Sequence, residues 1–455
     1  MNTISEATAT QSTPHVREWP LLGSIPGMAS DPLRYLLKCY RQYGSVFKIH
    51  VLGNEYTVLA GADAANFMNS RDGKECLRSR EFWEGLVKEY DAKSALPGVD
   101  GEEHSELRKV LRRGYSRESI KGRYNELVDI TDRAIARDWK PGSTVPVLES
   151  FQFMVTDQLG IMITGNAPLE YVADIRIMIL YILNCLVTRQ RPEFLMRLNP
   201  RYRKAKQRVF ELGDQMKADY LSGDRHTEHR TLVDDIMETH RDNPELMPAK
   251  NLRLHLTAPY VAGLDTVANT TAACVYTVLK HPEVHARVQS EIDAFFADDA
   301  PIEEARLMQR LPALNGAIME TMRLYPIAPA QMRTANRDFV FDGHQIREGD
   351  TLYLASTITH LMEEYFPQPE HFDIDRYAPP REEHKQSGVY SPYGRGAHTC
   401  LGKSLAEIQL LLTMARIFYK LDLALPSPDY QLKTKTAPTP GPARSFSVQV
   451  KGYRH

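Results

Sequence analysis

Apolar side chains recur at three- and four-residue intervals through the middle of the chain, from about residue 102 to 333. SELRKVLRRGYS, YNELVDITDRAIARDW and QRVFELGDQMKADYL carry the pattern, which predicts amphipathic helices on a shared core. The two ends differ. From Trp19 to about Ala65, SVFKIHVLG and EYTVLAG are short β-rich runs set among turn signals. DFVFDGHQIREGDTLYLAS alternates again, with Gly343 and Gly349 as turn residues. Residues 364–399 are rich in proline and aromatics and have no period. SLAEIQLLLTMARIFYKL predicts a strong helix before a β-rich end. The whole predicts a mostly α fold with a small β portion, one domain over 18–455 behind a disordered polar leader, 1–17.

Composition narrows the class. Hydrophobic residues make up 42% of 455, enough for a large core. With 56 basic and 58 acidic residues there is no cationic excess of the kind nucleic-acid binders show. No apolar run reaches the ~20 residues that a membrane span needs, and no signal peptide is visible. A monomer in the cytoplasm of a bacterium-like cell is expected. The five cysteines are odd in number, widely spaced and form no CxxC pair, which argues for a reducing compartment.

One cysteine stands apart. In SPYGRGAHTCLGKSLAEIQL, residues 391–410, Gly394, Gly396 and Gly402 surround Cys400. Glycine serves where backbone takes left-handed angles or lies against a flat ligand. The helix that follows would present free N–H groups and its positive end to the sulfur, so a low-pKa thiolate is expected. On these residues alone, a glycine-rich turn with an incidental buried cysteine is an equal reading.

Three further segments carry chemistry-bearing residues. ETMR places Glu320 and Arg323 three apart on an apolar helix that stops at Pro326. Most such pairs are surface ion pairs of little worth, but one in an apolar helix is buried and needs partners. Arg376 in HFDIDRY is the natural third member. AGLDTVANTT puts Gly263 inside a long helix, at a cost of about 1 kcal/mol, followed by the acid–hydroxyl pair Asp265 and Thr266. A kinked core helix would explain it too. HSELRKVLRRGYS sets His104 and Arg108 on one helix face, as an exposed basic helix would.

Together, in this order, these segments resemble the cytochrome P-450 superfamily over about residues 20–450. Tyr393, Gly396, His398, Cys400 and Gly402 match its haem-binding signature, with Tyr for the usual Phe and His for the usual Arg. Ala262, Gly263, Asp265 and Thr266 match its oxygen-binding helix; Val267 departs from the usual Thr or Ser. Phe372 and Arg376 match the segment completing the Glu-x-x-Arg pair, with Ile374 for the usual Pro. The resemblance implies haem b between the long central helix and the cysteine-loop helix, with Cys400 as iron ligand. It implies propionate donors at His104, Arg108, Arg333 and His398, and room for dioxygen at Ala262 and Gly263. Thr266 and Asp265 would relay protons. Glu320, Arg323 and Arg376 would support the cysteine loop.

The implied reaction inserts one atom of O2 into a hydrophobic molecule of terpenoid, steroid, fatty acid or polyketide type. Trp83, Leu86, Leu96, Leu183, Val187, Tyr260, Ile327, Ala328 and Met332 are candidate pocket residues. Electrons would come from a separate ferredoxin or flavodoxin with its reductase, docking on Lys109, Arg112, Arg113, Arg395 and Lys403. Two alternatives are a peroxide-driven haem-thiolate enzyme and a haem-based ligand sensor. The intact acid–hydroxyl pair speaks against the first.

Overall fold

The computed structural model describes residues 11–455 apart from 20–21, 52, 166, 225–226, 298–301, 304–306 and 308. A 32-residue helix, Ala249–Lys280, runs through the helical mass. Helices Val147–Leu159, Pro200–Ser222, Leu232–Asp242, Pro312–Leu324 and Lys403–Lys420 all pack against it. About two thirds of its residues are buried, on all sides of the helix, which explains why it lacks a polar stripe. Pro259 sits inside this helix. It has no N–H to offer the carbonyl four residues back, so the ladder is interrupted just before Ala262.

The β portion is mainly one five-stranded sheet. Its order is Val46–Val51, Asn54–Ala60, Thr351–Ala355, Gln331–Ala335, Leu77–Arg78. Asn54–Ala60 and Thr351–Ala355 run parallel, with Thr57 opposite Leu352; Arg333 faces Leu352 on the other side. Arg333 is thereby held on a rigid strand although it lies far from the other site residues in sequence. A second sheet joins Thr144–Pro146, Ser447–Tyr453 and Leu421–Ala424.

Two expectations at the N-terminal end need correction. Residues 11–17 are not loose: Val16 N donates to Lys48 O, Lys48 N donates to Pro14 O, and Gln11 N donates to Gly343 O. Residues 1–10 lie outside the described residues. The β-rich stretch after Trp19 also contains helices, Ile25–Ser30 and Pro32–Tyr43. The second buries Leu33, Leu36 and Leu37, starts with Pro32 at its first turn and is capped by Asp31 accepting from Arg34 N. Those start signals were present in the chain; the neighbouring strand runs masked them.

Candidate functional site

The cysteine loop hangs from a buried ionic network. Glu320 accepts from Arg323 Nε and Nη2 at 2.7 Å each, Arg376 Nε at 3.2 Å, Tyr377 Oη at 2.8 Å and Asp373 N at 3.0 Å. Arg376 reaches on to Glu383 at 3.0 Å. Glu320, Arg323 and Arg376 are essentially inaccessible to solvent. The expected triad is therefore assembled, and Tyr377 and Glu383 extend it. His360 links it to the loop. Its Nε2 accepts from Ser391 N at 3.0 Å, while its Nδ1 lies 3.3 Å from Arg323 O. Burial pushes its pKa down to about 3, so the neutral ring holds both contacts.

From Ser391 the chain turns tightly. Gly394 and Gly396 have φ of +70° and +78°. A Cβ there would sit 2.0 Å from Gln331 Nε2 and 2.4 Å from Met68 O, so only glycine fits. Cys400 N closes the loop on Tyr393 O at 2.9 Å. Gly402 is different: φ is −84° and the nearest side chain, Tyr115, is 3.7 Å from a built Cβ. The protein itself does not demand glycine at that position.

Cys400 is accessible, whereas Cys39, Cys76, Cys185 and Cys274 are buried. Its sulfur nevertheless sits in a desolvating recess. The expected low pKa is not found: burial pushes the thiol up, against the pull of the Gly402 and Lys403 N–H groups and the Arg108 charge. The helix terminus is present, starting at Lys403, but desolvation outweighs it.

Four basic side chains gather near this loop. Arg108 Nη2 donates to Thr399 O at 2.7 Å. The His104 and His398 rings lie 4.2 Å apart between centroids. His104 is buried with Nε2 unpartnered, and burial, with His398 and Arg108 nearby, lowers its pKa to about 4. Arg333 is buried; among the described residues it donates only to its neighbour Met332 O and has no carboxylate in ion-pair range. Burial lowers its pKa to about 10, with Asp100 the one opposing charge. A buried guanidinium without a carboxylate is an anion-seeking group.

Asp100 is the residue that sequence reasoning missed. It stands at the N-cap of the His104 helix, but its carboxylate does not cap. Instead it takes Ser79 N at 3.0 Å and His398 Nε2 at 2.9 Å. His398 was expected to donate to a ligand through a free ring; one ring nitrogen is committed to Asp100.

On the central helix, Ala262 is exposed, and Val261, Gly263, Asp265 and Thr266 are partly accessible, whereas Leu264 and residues 267–271 are buried, so this face opens onto a cleft. Thr266 Oγ1 donates to Ala262 O at 2.9 Å. Asp265 Oδ1 accepts from Gln152 Nε2 at 2.6 Å. Burial raises the Asp265 pKa, against the charge of Lys435 and the Gln152 bond. A Cβ on Gly263 would meet Leu159 Cδ1 at 2.8 Å, so helix packing by itself requires this glycine.

Of the pocket candidates, Trp83, Leu96, Leu183, Val187, Ile327, Ala328 and Met332 keep accessible surface. Leu86 and Tyr260 belong to the core and are corrected accordingly. Tyr260 is fully buried with its hydroxyl 2.5 Å from Thr164 Oγ1, so its ring points into packing rather than the cleft. Arg395 also leaves the proposed basic patch: it turns inward onto Ser391 Oγ and Tyr390 O. Lys403 sits 3.8 Å from Glu407, which offsets its charge. Lys74, Lys109, Arg112 and Arg113 border one shared cleft with His104 and Arg108.

An accessible cysteine in a glycine-shaped loop, braced by a buried Glu–Arg–Arg network on a mostly helical frame, defines a class of haem-binding fold. Residues 14–448 match the sequence profile described as Cytochrome P450. The chain belongs to the cytochrome P450 family, and relatives that it matches are named as monooxygenases. It is 25% identical over 402 residues to cytochrome P450 139 of Mycobacterium tuberculosis, covering 86% of this chain and 91% of that one. Similarity to the beta-amyrin 28-monooxygenase of Solanum lycopersicum is 24% over 458 residues, covering 96% and 92%. The retinoic acid-bound cyanobacterial CYP120A1 superposes with a TM-score of 0.82 at 20% identity, covering 97% of this chain and 99% of that chain. No helix among the described residues is long and apolar enough to cross a membrane.

Proposed function

We propose that this chain holds haem b through the thiolate of Cys400 and inserts one atom of O2 into a hydrophobic small molecule. The observation that carries the reading is the basic cluster beside Cys400. Arg333 and His104 are buried with unmet hydrogen-bonding capacity, and Arg108 has no carboxylate partner. Two propionates are the charge such a set accepts. Gly402, which the protein leaves unfilled, adds room for a flat group over the sulfur. When bound, the haem supplies the iron at which oxygen is reduced, with electron density from the sulfur.

This chain's own residues bind, exclude and move protons. Arg108, Arg333, His104 and the Asp100-oriented His398 would hold the propionates. Ala262 leaves space beside the cleft. Thr266 can release its bond to Ala262 O and donate into the cleft. Asp265, whose raised pKa makes it a readier proton carrier than an ordinary aspartate, lies next to it in the helix. A wall supplied by Trp83, Leu96, Leu183 and Val187, which keep accessible surface, would suit a hydrophobic substrate. Relatives named for a sterol and for beta-amyrin support the steroid and terpenoid end of the range. A cytoplasmic location is part of this reading.

The test is turnover of an apolar substrate with 18O2 and a ferredoxin system, set against turnover with hydrogen peroxide alone. Label in the product only with O2 and reductant supports the monooxygenase. Efficient peroxide-only turnover would replace it with a peroxygenase. Thr266→Ala should cut product per electron about tenfold or more, within the range that acid–base groups contribute, and divert electrons to peroxide. Unchanged coupling would remove Thr266 from proton delivery.

The electron donor would dock on Lys74, Lys109, Arg112 and Arg113. Lys109 and Arg112 are exposed and, among the described residues, have no ion-pair partner, whereas Arg113 lies 4.0 Å from Asp235. The Lys109→Ala/Arg112→Ala variant should slow reduction at low salt and flatten its ionic-strength dependence, because steering acts through such charges. Stopped-flow reduction across a salt series reads this directly, and an unaltered salt slope would move the docking face elsewhere.

A further inference from the structure

We propose that His15, His50 and Glu55 form a site for a borderline-soft divalent cation of the Zn2+ type, which clips residues 11–19 to the first β-hairpin. These residues take no part in the haem chemistry. Among the described residues their ligand atoms all lie within 4.8 Å of one another. His50 Nε2 is 3.4 Å from Glu55 Oε2, and His15 Nδ1 is 3.8 Å from the same oxygen. Ligands bound about 2.0–2.2 Å from tetrahedral zinc stand roughly 3.3–3.5 Å apart. One pair is already at that spacing, and small side-chain rotations bring in the other.

The backbone holds all three in place. His50 and Glu55 face each other across the antiparallel pair Val46–Val51 and Asn54–Ala60. His15 is fixed on both sides, because Lys48 N donates to Pro14 O and Val16 N donates to Lys48 O, each at 2.9 Å. The clip would therefore join three neighbouring segments that are already in register.

A second shell is also present, and it is the independent observation. Glu18 is nearly buried, and its Oε2 lies 3.0 Å from His50 Nδ1. Its Oε1 accepts from His50 N at 2.7 Å and from Ser24 Oγ at 2.5 Å. A carboxylate can only accept here, so Nδ1 donates to Glu18, and a metal bound at Nε2 would take the place of the proton that Nε2 would otherwise share with Glu55. This is the carboxylate–histidine arrangement that orients metal-binding imidazoles. Lys48 occupies the other Glu55 oxygen at 2.7 Å, so Oε2 is the one that faces both imidazoles. Two imidazoles and one carboxylate suit zinc rather than calcium or magnesium, which prefer all-oxygen shells.

The test uses the full-length, haem-loaded protein and Zn2+ itself, with Co2+ as the spectroscopic probe. Equilibrium dialysis should show one Zn2+ per chain. Co2+ should give the intense visible bands of a four-coordinate ion. The His15→Ala/His50→Ala variant should abolish both, and Glu55→Gln should weaken binding. The decisive variant is Glu18→Gln, which removes no ligand yet should weaken Zn2+ about 10–100-fold through the second shell. The unfolding midpoint of the wild type should rise with Zn2+, and that of the double variant should not. Unchanged haem spectra in the variants would establish that they fold. No wild-type binding at 100-fold molar excess of zinc over protein, or equal binding by the double variant, would overturn the site. Undiminished binding by Glu18→Gln would remove the oriented-histidine argument on which it rests.

Discussion

Cys400→Ser is expected to yield a folded protein with no oxygenase activity. Its reduced carbon monoxide complex should lack the long-wavelength band that a thiolate ligand confers. The reason is the ionisation of the side chain. Even the thiol at this position is pushed up by burial, with only Gly402 N–H, Lys403 N–H and Arg108 to oppose the shift. A thiol in that setting still gives up its proton to a metal, because binding supplies the free energy of ionisation. A serine hydroxyl is a far weaker acid and a harder ligand, so the same surroundings cannot produce an equivalent bond. A corollary is that haem loading should release a proton. The check is the difference spectrum of the variant beside the wild type, with circular dichroism to report folding. Survival of the thiolate band would show that another residue ligates the iron.

The second large effect is on stability. Glu320→Gln should lower unfolding free energy by about 3–5 kcal/mol, the usual consequence of breaking a buried charged network on one side. Glu320 satisfies both Arg323 and Arg376 as well as Tyr377 and Asp373 N. Glutamine keeps the shape but cannot balance two guanidinium ions, and Arg376 retains Glu383 as its one charged partner among the described residues, beside the Gln368 and His371 carbonyls. Because His360 joins Arg323 to Ser391, the damage should spread to the cysteine loop and appear as poor haem retention. Arg241→Ala, on a fully exposed pair with Asp242, should leave stability essentially unchanged. Chemical denaturation of both variants measures the contrast. A Glu320→Gln variant as stable as Arg241→Ala would mean that the network does not support the loop.

Much of this was readable in the chain before the fold was known. The three-to-four spacing of apolar residues announced the helical middle, because a helix buries one face at that period. The ETMR pair inside an apolar helix required a buried counter-group, and Arg376 is where the structure finds it. Gly394 and Gly396 marked left-handed turns, and both have positive φ. Other features had no local signature. The Pro32–Tyr43 helix was hidden by β-rich neighbours, although its cap and proline were visible. Asp100 carries no local signal, because its partner His398 lies 298 positions away. Tyr260 and Leu86 were plausible pocket residues by segment, and the rotation of their helices turned them into the core.

The sequence by itself, through its resemblance to the cytochrome P-450 superfamily, singled out Cys400, the Asp265–Thr266 pair and the Glu320, Arg323 and Arg376 set. Their order and spacing are what a chain records. Only the tertiary structure decided their physical state. Desolvation, not the helix terminus, sets the pKa direction of Cys400. Burial without a carboxylate makes Arg333 an anion seeker. Gly263 answers to Leu159 as well as to any ligand. Each of these is a sum over neighbours from distant parts of the chain, and burial and charge are properties of that assembly rather than of any local run.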